Sequence, residues 1–503
     1  MTGSVSRGPA RRGRWAGLAV LSAGVLVVVM DMTVLNVALP AITQDLRPDA
    51  VHVLWMVDVY ALVLAGLLVT LGALGDRWGR RRLLLTGFAV FGTASAAVLA
   101  AGGPEAVIAV RALLGVGGAM IMPSTLSMIR HLFPDPRERA TALGVWTAMA
   151  AVGGAFGPVL GGLLLELLSW RAAFLVNVPV MAVAVVAGLF LLPESRDPAP
   201  GRWDVPGAVL SIAGMVALVY AVKHAGAGGG ALDGVTLSAG AFAVAALGWF
   251  VARCLRRPDP LLEIRLFRSG AFSAGVVAAL ATSVAMTGTL LLLAQWLQLV
   301  REYSPLESGV RLLPAALAAL VAAPLAPRLA ARVGARAVLA GGLAVSGTGF
   351  LVVYGAPEPL GYPAVAAALA LIGFGQGALA IASAVVMAGS PPEKSGGAAA
   401  IEETSYEVGG VLGVAVLGSV AAAVYRGELP RQAGAAARES LGGALDVATE
   451  LGAAGARLAG QATAAFTASL AVTCTAGALL MLVAAVAAWL LTPAGLDLSG
   501  RRH

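Results

Sequence analysis

The sequence predicts an all-α polytopic membrane protein with 14 transmembrane helices, arranged as two pseudo-symmetric six-helix bundles plus an inserted helix pair. Three observations predict it. The 503 residues are 59% hydrophobic and only 12% charged, with a mean hydropathy of +0.86, whereas soluble domains carry roughly 25% charged residues. Fourteen segments are apolar over the ~20 residues that a bilayer crossing needs. Three short patterns recur in the second half of the chain at nearly one offset.

The candidate spans lie near 17–39, 52–74, 83–102, 106–129, 141–165, 173–192, 205–223, 235–252, 273–299, 309–327, 337–355, 363–387, 399–424 and 466–491. They divide the chain into a basic tail (1–14), a first six-helix bundle (15–194), an inserted pair (195–258), a second bundle (259–493) and a short tail (494–503). With the N-terminus inside, the intracellular segments hold most of the 34 lysines and arginines. That bias sets the orientation, with both termini cytoplasmic. The first span is not expected to be a cleaved leader: it contains Asp31 and Asn36, and Pro40 stands where small residues are wanted. The long external loop 425–465 reads as one or two amphipathic helices, either a lid over a vestibule or a solvated connector.

The repeat carries the bundle assignment. Leu74, Arg77, Gly79 and Arg81 return as Leu329, Arg332, Gly334 and Arg336; LGVGGA from Leu114 returns as IGFGQG from Ile372; Gly153, Gly154 and Gly157 return as Gly409, Gly410 and Gly413. Three anchors at offsets of 255 to 258 argue for duplication of a six-helix unit. Two such halves suit a rocking transporter with its substrate near the midplane. The halves also differ: Asp76 becomes Ala331 and Arg111 becomes Leu369, while the second half gains Glu403 and Glu407.

Composition excludes several classes. Two cysteines (Cys254, Cys474) and four scattered histidines offer neither a disulfide framework nor a metal centre. The net charge of +7 follows from topology and does not point to nucleic acid. No GxxxxGK[ST] loop is present, so an ATP-driven pump is not expected. Neither an enzyme nor a cofactor is expected, nor, with such short tails, a sensor or receptor with a signalling domain.

Charges inside the spans are the candidate functional residues, because an acid at mid-bilayer costs ~2.5–3.5 kcal/mol on insertion scales. Asp31 lies in the first span and Arg111 in the fourth. A buried arginine needs a partner, and Asp31 is the candidate. Protonating Asp31 would break the pair and bias the bundle, coupling proton to conformation; a fixed structural ion pair is the alternative. Asp58 enters the second span one turn from Trp55, and Glu403 and Glu407, four apart, share a helix face with Tyr406 adjacent. Carboxylates beside aromatic rings suit an apolar cation. Desolvation raises a carboxylate's pKa, so such acids can exchange a proton for a cationic drug. Glu402 and Glu403 could equally be hydrated at the interface. Gln295, Trp296 and Gln298 either line the cavity or anchor the helix end.

GALGDRWGRRR (Gly72 to Arg82), RALLGVGGA (Arg111 to Ala119), GGAFGPVLGG (Gly153 to Gly162), MDMTVLNVALP (Met30 to Pro40), WRAAFLVNVPV (Trp170 to Val180) and EETSYEVGGVLGVAVLGS (Glu402 to Ser419) together resemble the major facilitator superfamily. The likeness is to its fourteen-helix drug:proton antiporter branch, with Leu114 where glutamine is usual. It implies proton-coupled multidrug efflux by alternating access across the cytoplasmic membrane of a bacterium. The partners would be protons, amphipathic or cationic drugs and the lipid bilayer. It further supports Arg111 as a coupling residue, and implies a gate latch built from Gly72, Asp76, Arg77, Gly79, Arg80 and Arg81. Gly153, Gly157, Pro158, Gly161 and Gly162 would form the tightly packed antiporter motif. A dedicated exporter of one endogenous compound, such as a self-made antibiotic, is the alternative.

Overall fold

The computed structural model of the chain describes residues 11–195, 204–225, 232–258, 260–357, 359–377, 379–391, 395–430 and 433–496. Among these residues every regular element is helical, and 14 helices are long and apolar enough to cross a membrane. They are α1 (Arg11–Leu46), α2 (Ala50–Trp78), α3 (Arg80–Ala97), α4 (Pro104–Leu132), α5 (Pro136–Leu167), α6 (Ala172–Leu191) and α7 (Val205–His224). The second half holds α8 (Gly234–Arg256), α9 (Gly270–Gln295), α10 (Pro305–Val333), α11 (Ala335–Tyr354), α12 (Tyr362–Ala388), α13 (Ser395–Glu428) and α14 (Ala456–Leu491).

Several helices outrun the predicted spans. α1 passes through Pro40 to Leu46, and α10 contains Pro314, Pro324 and Pro327. Proline is tolerated in membrane helices because neighbouring groups satisfy the backbone atoms it frees. α13 and α14 lengthen too, so 429–455 rather than 425–465 connects them. This connection holds two short helices, Ala435–Glu439 and Leu441–Glu450. The Tyr425 hydroxyl donates to the carbonyls of Ala437 and Ser440 at 3.0 and 3.2 Å, pinning the connection to α13.

The repeated sequence anchors become repeated packing. In the first half α1 packs on α5, α2 on α4, and α3 on α4 and α6. In the second, α9 packs on α13, α10 on α12, and α11 on α12 and α14. Gly79 and Gly334 each join two helices with no further linker residue, at φ 115° and 89°, a region glycine enters without the Cβ penalty. A Cβ on Gly153 would lie 2.6 Å from the Leu26 carbonyl oxygen, and one on Gly409 2.8 Å from that of Leu280. Small residues let membrane helices approach this closely.

Buried apolar side chains form two large clusters, one from Leu18 to Val219 and one from Ala271 to Ala488, with Val411 and Ala415 of α13 joining the first. Across the divide α2 meets α13 and α5 meets α10, contacts that exchange under the repeat. α7 packs on α2, α13 and α8. At the arginine-rich end of the bundle, the Asp204 carboxylate accepts from Arg253 (2.6 Å) and pairs with Arg257 (3.0 Å), fastening α7 to α8.

Candidate functional site

Asp31 and Arg111 meet inside the first half. Arg111 Nη1 lies 2.7 Å from Asp31 Oδ2, and each side chain is 2% exposed. The pair is surrounded by polar partners, as a buried charge pair requires. Arg111 Nε donates to the Met56 carbonyl at 3.2 Å, and its guanidinium sits 4.5 Å from the Tyr60 ring centroid. Asn177 Nδ2 donates to Asp31 Oδ1 at 2.9 Å and reaches Ser95 Oγ at 3.2 Å. Tyr60, Ser95 and Asn177 are all buried, so α1, α2, α3, α4 and α6 converge on one carboxylate.

Asp58 is also buried but does not join this network through Tyr60. Residues two apart on a helix lie about 200° apart, and the Tyr60 side of α2 is the one packed on Gly115 and Gly118 of α4. Asp58 therefore leaves α2 on a different side from the ring that covers Arg111. Trp55 is partly buried and packs on the first-half core.

On α13, Glu402 and Glu407 are buried while Glu403 and Tyr406 are half-buried. Glu402 accepts a hydrogen bond from Ser383 of α12. Glu407 Oε2 is buried without a hydrogen-bond partner among the described residues. Glu403 and Glu407 lie within electrostatic reach of each other, and Glu407 within reach of Tyr60. Tyr60 is thus within electrostatic reach both of the Asp31–Arg111 pair of the first half and of a carboxylate of the second. The Tyr406 carbonyl accepts from Ser283 Oγ at 2.5 Å, holding α13 to α9.

Arg80 and Arg81 of the Gly72–Arg82 segment make hydrogen bonds to the chain around Leu189 to Ser195. Arg80 N donates to the Ser195 carbonyl at 2.9 Å, Arg81 N to Glu194 Oε1 at 3.2 Å, and the Arg81 guanidinium to the Leu189 carbonyl. Arg77 is exposed, and Gly72 faces Pro123 of α4. The side chain of Asp76 lies outside the described residues. Along α5, Gly153 and Gly157 face Leu26, Met30 and Thr33 of α1, and Gly161 faces Val34. Gly162 meets Pro305 and Leu306 of α10, and the Pro158 carbonyl meets Gly309. One side of the glycine motif therefore packs within the first half, and its last turn packs against the second.

The reading from sequence missed Asn177, Tyr60 and Ser95. Asn177 left a signal: the chain has only two asparagines, Asn36 and Asn177, and this one interrupts the apolar run FLVNVPV. Trp296 proves to be a packed anchor, buried with its Nε1 donating to Thr467 Oγ1 at 3.1 Å.

The profile of the Major Facilitator Superfamily matches residues 21–414. The chain is 42% identical over 496 residues to the multidrug efflux pump LfrA of Mycolicibacterium smegmatis, covering 96% of this chain and 97% of that protein. It is 36% identical over 451 residues to the methyl viologen resistance protein SmvA of Salmonella typhimurium, covering 87% and 90%. A bacterial homologue of the human lysosomal transporter Spinster, solved inward-facing and occupied, superposes with a TM-score of 0.68 over 96% of this chain and 97% of that one. At 17% identity this last likeness is one of fold alone.

Proposed function

Because this chain belongs to the Major Facilitator Superfamily, and is a transporter rather than an enzyme, we propose that it exports amphipathic, cationic drugs across the cytoplasmic membrane in exchange for protons. The observation that carries this reading is the buried Asp31–Arg111 pair. A proton on Asp31 removes the negative charge that compensates a buried guanidinium. Among the described residues, Arg111 then keeps the Met56 carbonyl and the Tyr60 ring as partners. The arrangement loses stability relative to any other in which Arg111 is better solvated, and the population shifts accordingly.

Substrate would bind near Trp55, Asp58, Glu403, Tyr406 and Glu407, where acids and aromatic rings give both charge and cation–π attraction. The resistance named for SmvA concerns methyl viologen, a dication, which supports a site rich in carboxylates. The arginine-rich end is assigned to the cytoplasm, following the charge bias. A monocation leaving against one entering proton moves no net charge, so the pH gradient alone drives it. A second proton recruits the membrane potential, worth ~2.3 kcal/mol per charge at 100 mV.

The test uses inside-out vesicles energised acid-inside, with a pH dye and a quaternary ammonium compound. Substrate-triggered alkalinisation in the wild type that disappears in Asp31→Asn supports proton antiport through Asp31. A full response in Asp31→Asn moves coupling to Asp58, Glu403 or Glu407. A wild type silent to every cation in a panel favours the single-compound exporter.

A further inference from the structure

The Asn177 amide is placed to follow the protonation of Asp31. Its NH2 group faces Asp31 Oδ1 at 2.9 Å, the orientation that an acceptor-only, ionised carboxylate requires. Its own carbonyl oxygen, Oδ1, is buried without a hydrogen-bond partner among the described residues. A buried acceptor left unpaired is costly, and here it belongs to a group that can turn. Rotating the amide by half a turn exchanges donor for acceptor.

The other groups around Asp31 fix where a proton can sit. Arg111 of α4 covers Oδ2 at 2.7 Å, so Oδ1, on the Asn177 side, is the oxygen left to receive it. Tyr60 of α2 covers Arg111, and Glu407 of α13 lies within electrostatic reach of Tyr60. α5 meets this level of α1 through Gly153 and Gly157, which bring no charge. Ser95 of α3 lies 3.2 Å from Asn177 Nδ2. Its hydroxyl can accept from the NH2 group in one state and donate to the carbonyl in the other.

We propose that Asn177 is a positioning residue for proton coupling: its side-chain amide turns when Asp31 is protonated, giving NH2 to the carboxylate and C=O to the carboxylic acid. Both charge states of the buried acid are thereby satisfied, with Ser95 following, and the proton resides on Asp31 Oδ1. The proposal rests on Asp31 being the proton carrier. Asn177 acts through Asp31 and does not itself carry the proton.

The scarcity of asparagine makes the test direct. The full chain, labelled with side-chain [15N]asparagine and held in nanodiscs, gives two amide signals, and Asn36→Gln assigns them. The expected result is an Asn177 NH2 resonance that moves with pH through one midpoint and stands still in Asp31→Asn. A static resonance, in a protein whose coupling is lost in Asp31→Asn, overturns the role of Asn177 and leaves Asp31 intact. Coupling that survives Asp31→Asn removes the ground for both. A second measurement uses drug-triggered proton release by Asn177→Leu, with tetraphenylphosphonium as the probe. A hydrogen bond to a charged group is roughly twice as strong as a neutral one, so the midpoint should move to higher pH by about one unit. A folded Asn177→Leu with an unmoved midpoint and only a smaller amplitude overturns the proposal.

Discussion

Gln298, just beyond α9, donates from Nε2 to the Val37 carbonyl of α1 at 3.2 Å, tying the second half of the transporter to the first. Beside it Leu39, Leu291 and Val414 form a small apolar cluster with Val53 and Val57, and Gly162 packs on Leu306. These contacts gather at the end of the bundle opposite the arginine-rich turns. A bond of this kind contributes about 1 kcal/mol, roughly a fivefold bias toward the closed arrangement of this end. Gln298→Leu should therefore raise the labelling rate of a cysteine placed at Val53 about fivefold. The native Cys254 and Cys474 are buried and give little background. An unchanged rate would show that the apolar cluster alone holds this end shut.

Removing one partner of a buried ion pair strands the other, at about 3–5 kcal/mol. Arg111→Leu is accordingly expected to lower the thermal stability of the purified protein sharply. Adding Asp31→Leu should recover most of that loss, while transport stays absent in both. A double-mutant cycle with no coupling energy would mean that the two charges are satisfied independently.

The two helix-joining glycines make a matched pair. Alanine at Gly334 meets only backbone strain, about 1–3 kcal/mol, because the nearest atom, the Ala494 carbonyl oxygen, is 4.0 Å from the added Cβ. Alanine at Gly79 meets the same strain and also falls 2.6 Å from Glu194 Oε1, displacing the carboxylate that receives Arg81 N. Gly79→Ala should be the more damaging to both expression and drug efflux. Equal effects would remove Glu194 from the account.

Asp49 caps α2, accepting from the His52 amide at 2.7 Å. That hydrogen bond, ahead of the nearby imidazole, holds its carboxyl below the usual carboxylate range. A lowered folded value means stabilisation that is complete above the unfolded value of ~3.9 and fades as pH falls through the folded value. The side chain is 54% exposed, so Asp49→Ala should cost the lower part of the capping range, about 0.5 kcal/mol at pH 7. Thermal unfolding of wild type and variant should converge once the pH has fallen through the folded value. A difference that persists in acid would assign the effect to packing.

The sequence by itself determined the helices, their number and their duplication. Hydropathy over a span is a local property, and the glycine anchors recur wherever a backbone must pass another backbone, as Gly153 and Gly409 do. It also singled out Asp31 and Arg111, because a lone charge in an apolar run demands a partner. Tertiary structure decided what surrounds them. Asp31 and Arg111 are 80 residues apart and Asp31 and Asn177 are 146 apart, and no local spacing encodes contacts across such distances. Only the packed bundle shows that Tyr60 covers Arg111 while Asp58, two residues away, leaves the helix on another side. It likewise shows that Glu402 is buried against Ser383 of a neighbouring helix. Helix formation is settled residue by residue in the bilayer, but the rotation of each helix is fixed only when its neighbours fill the grooves beside it, and those rotations choose the site.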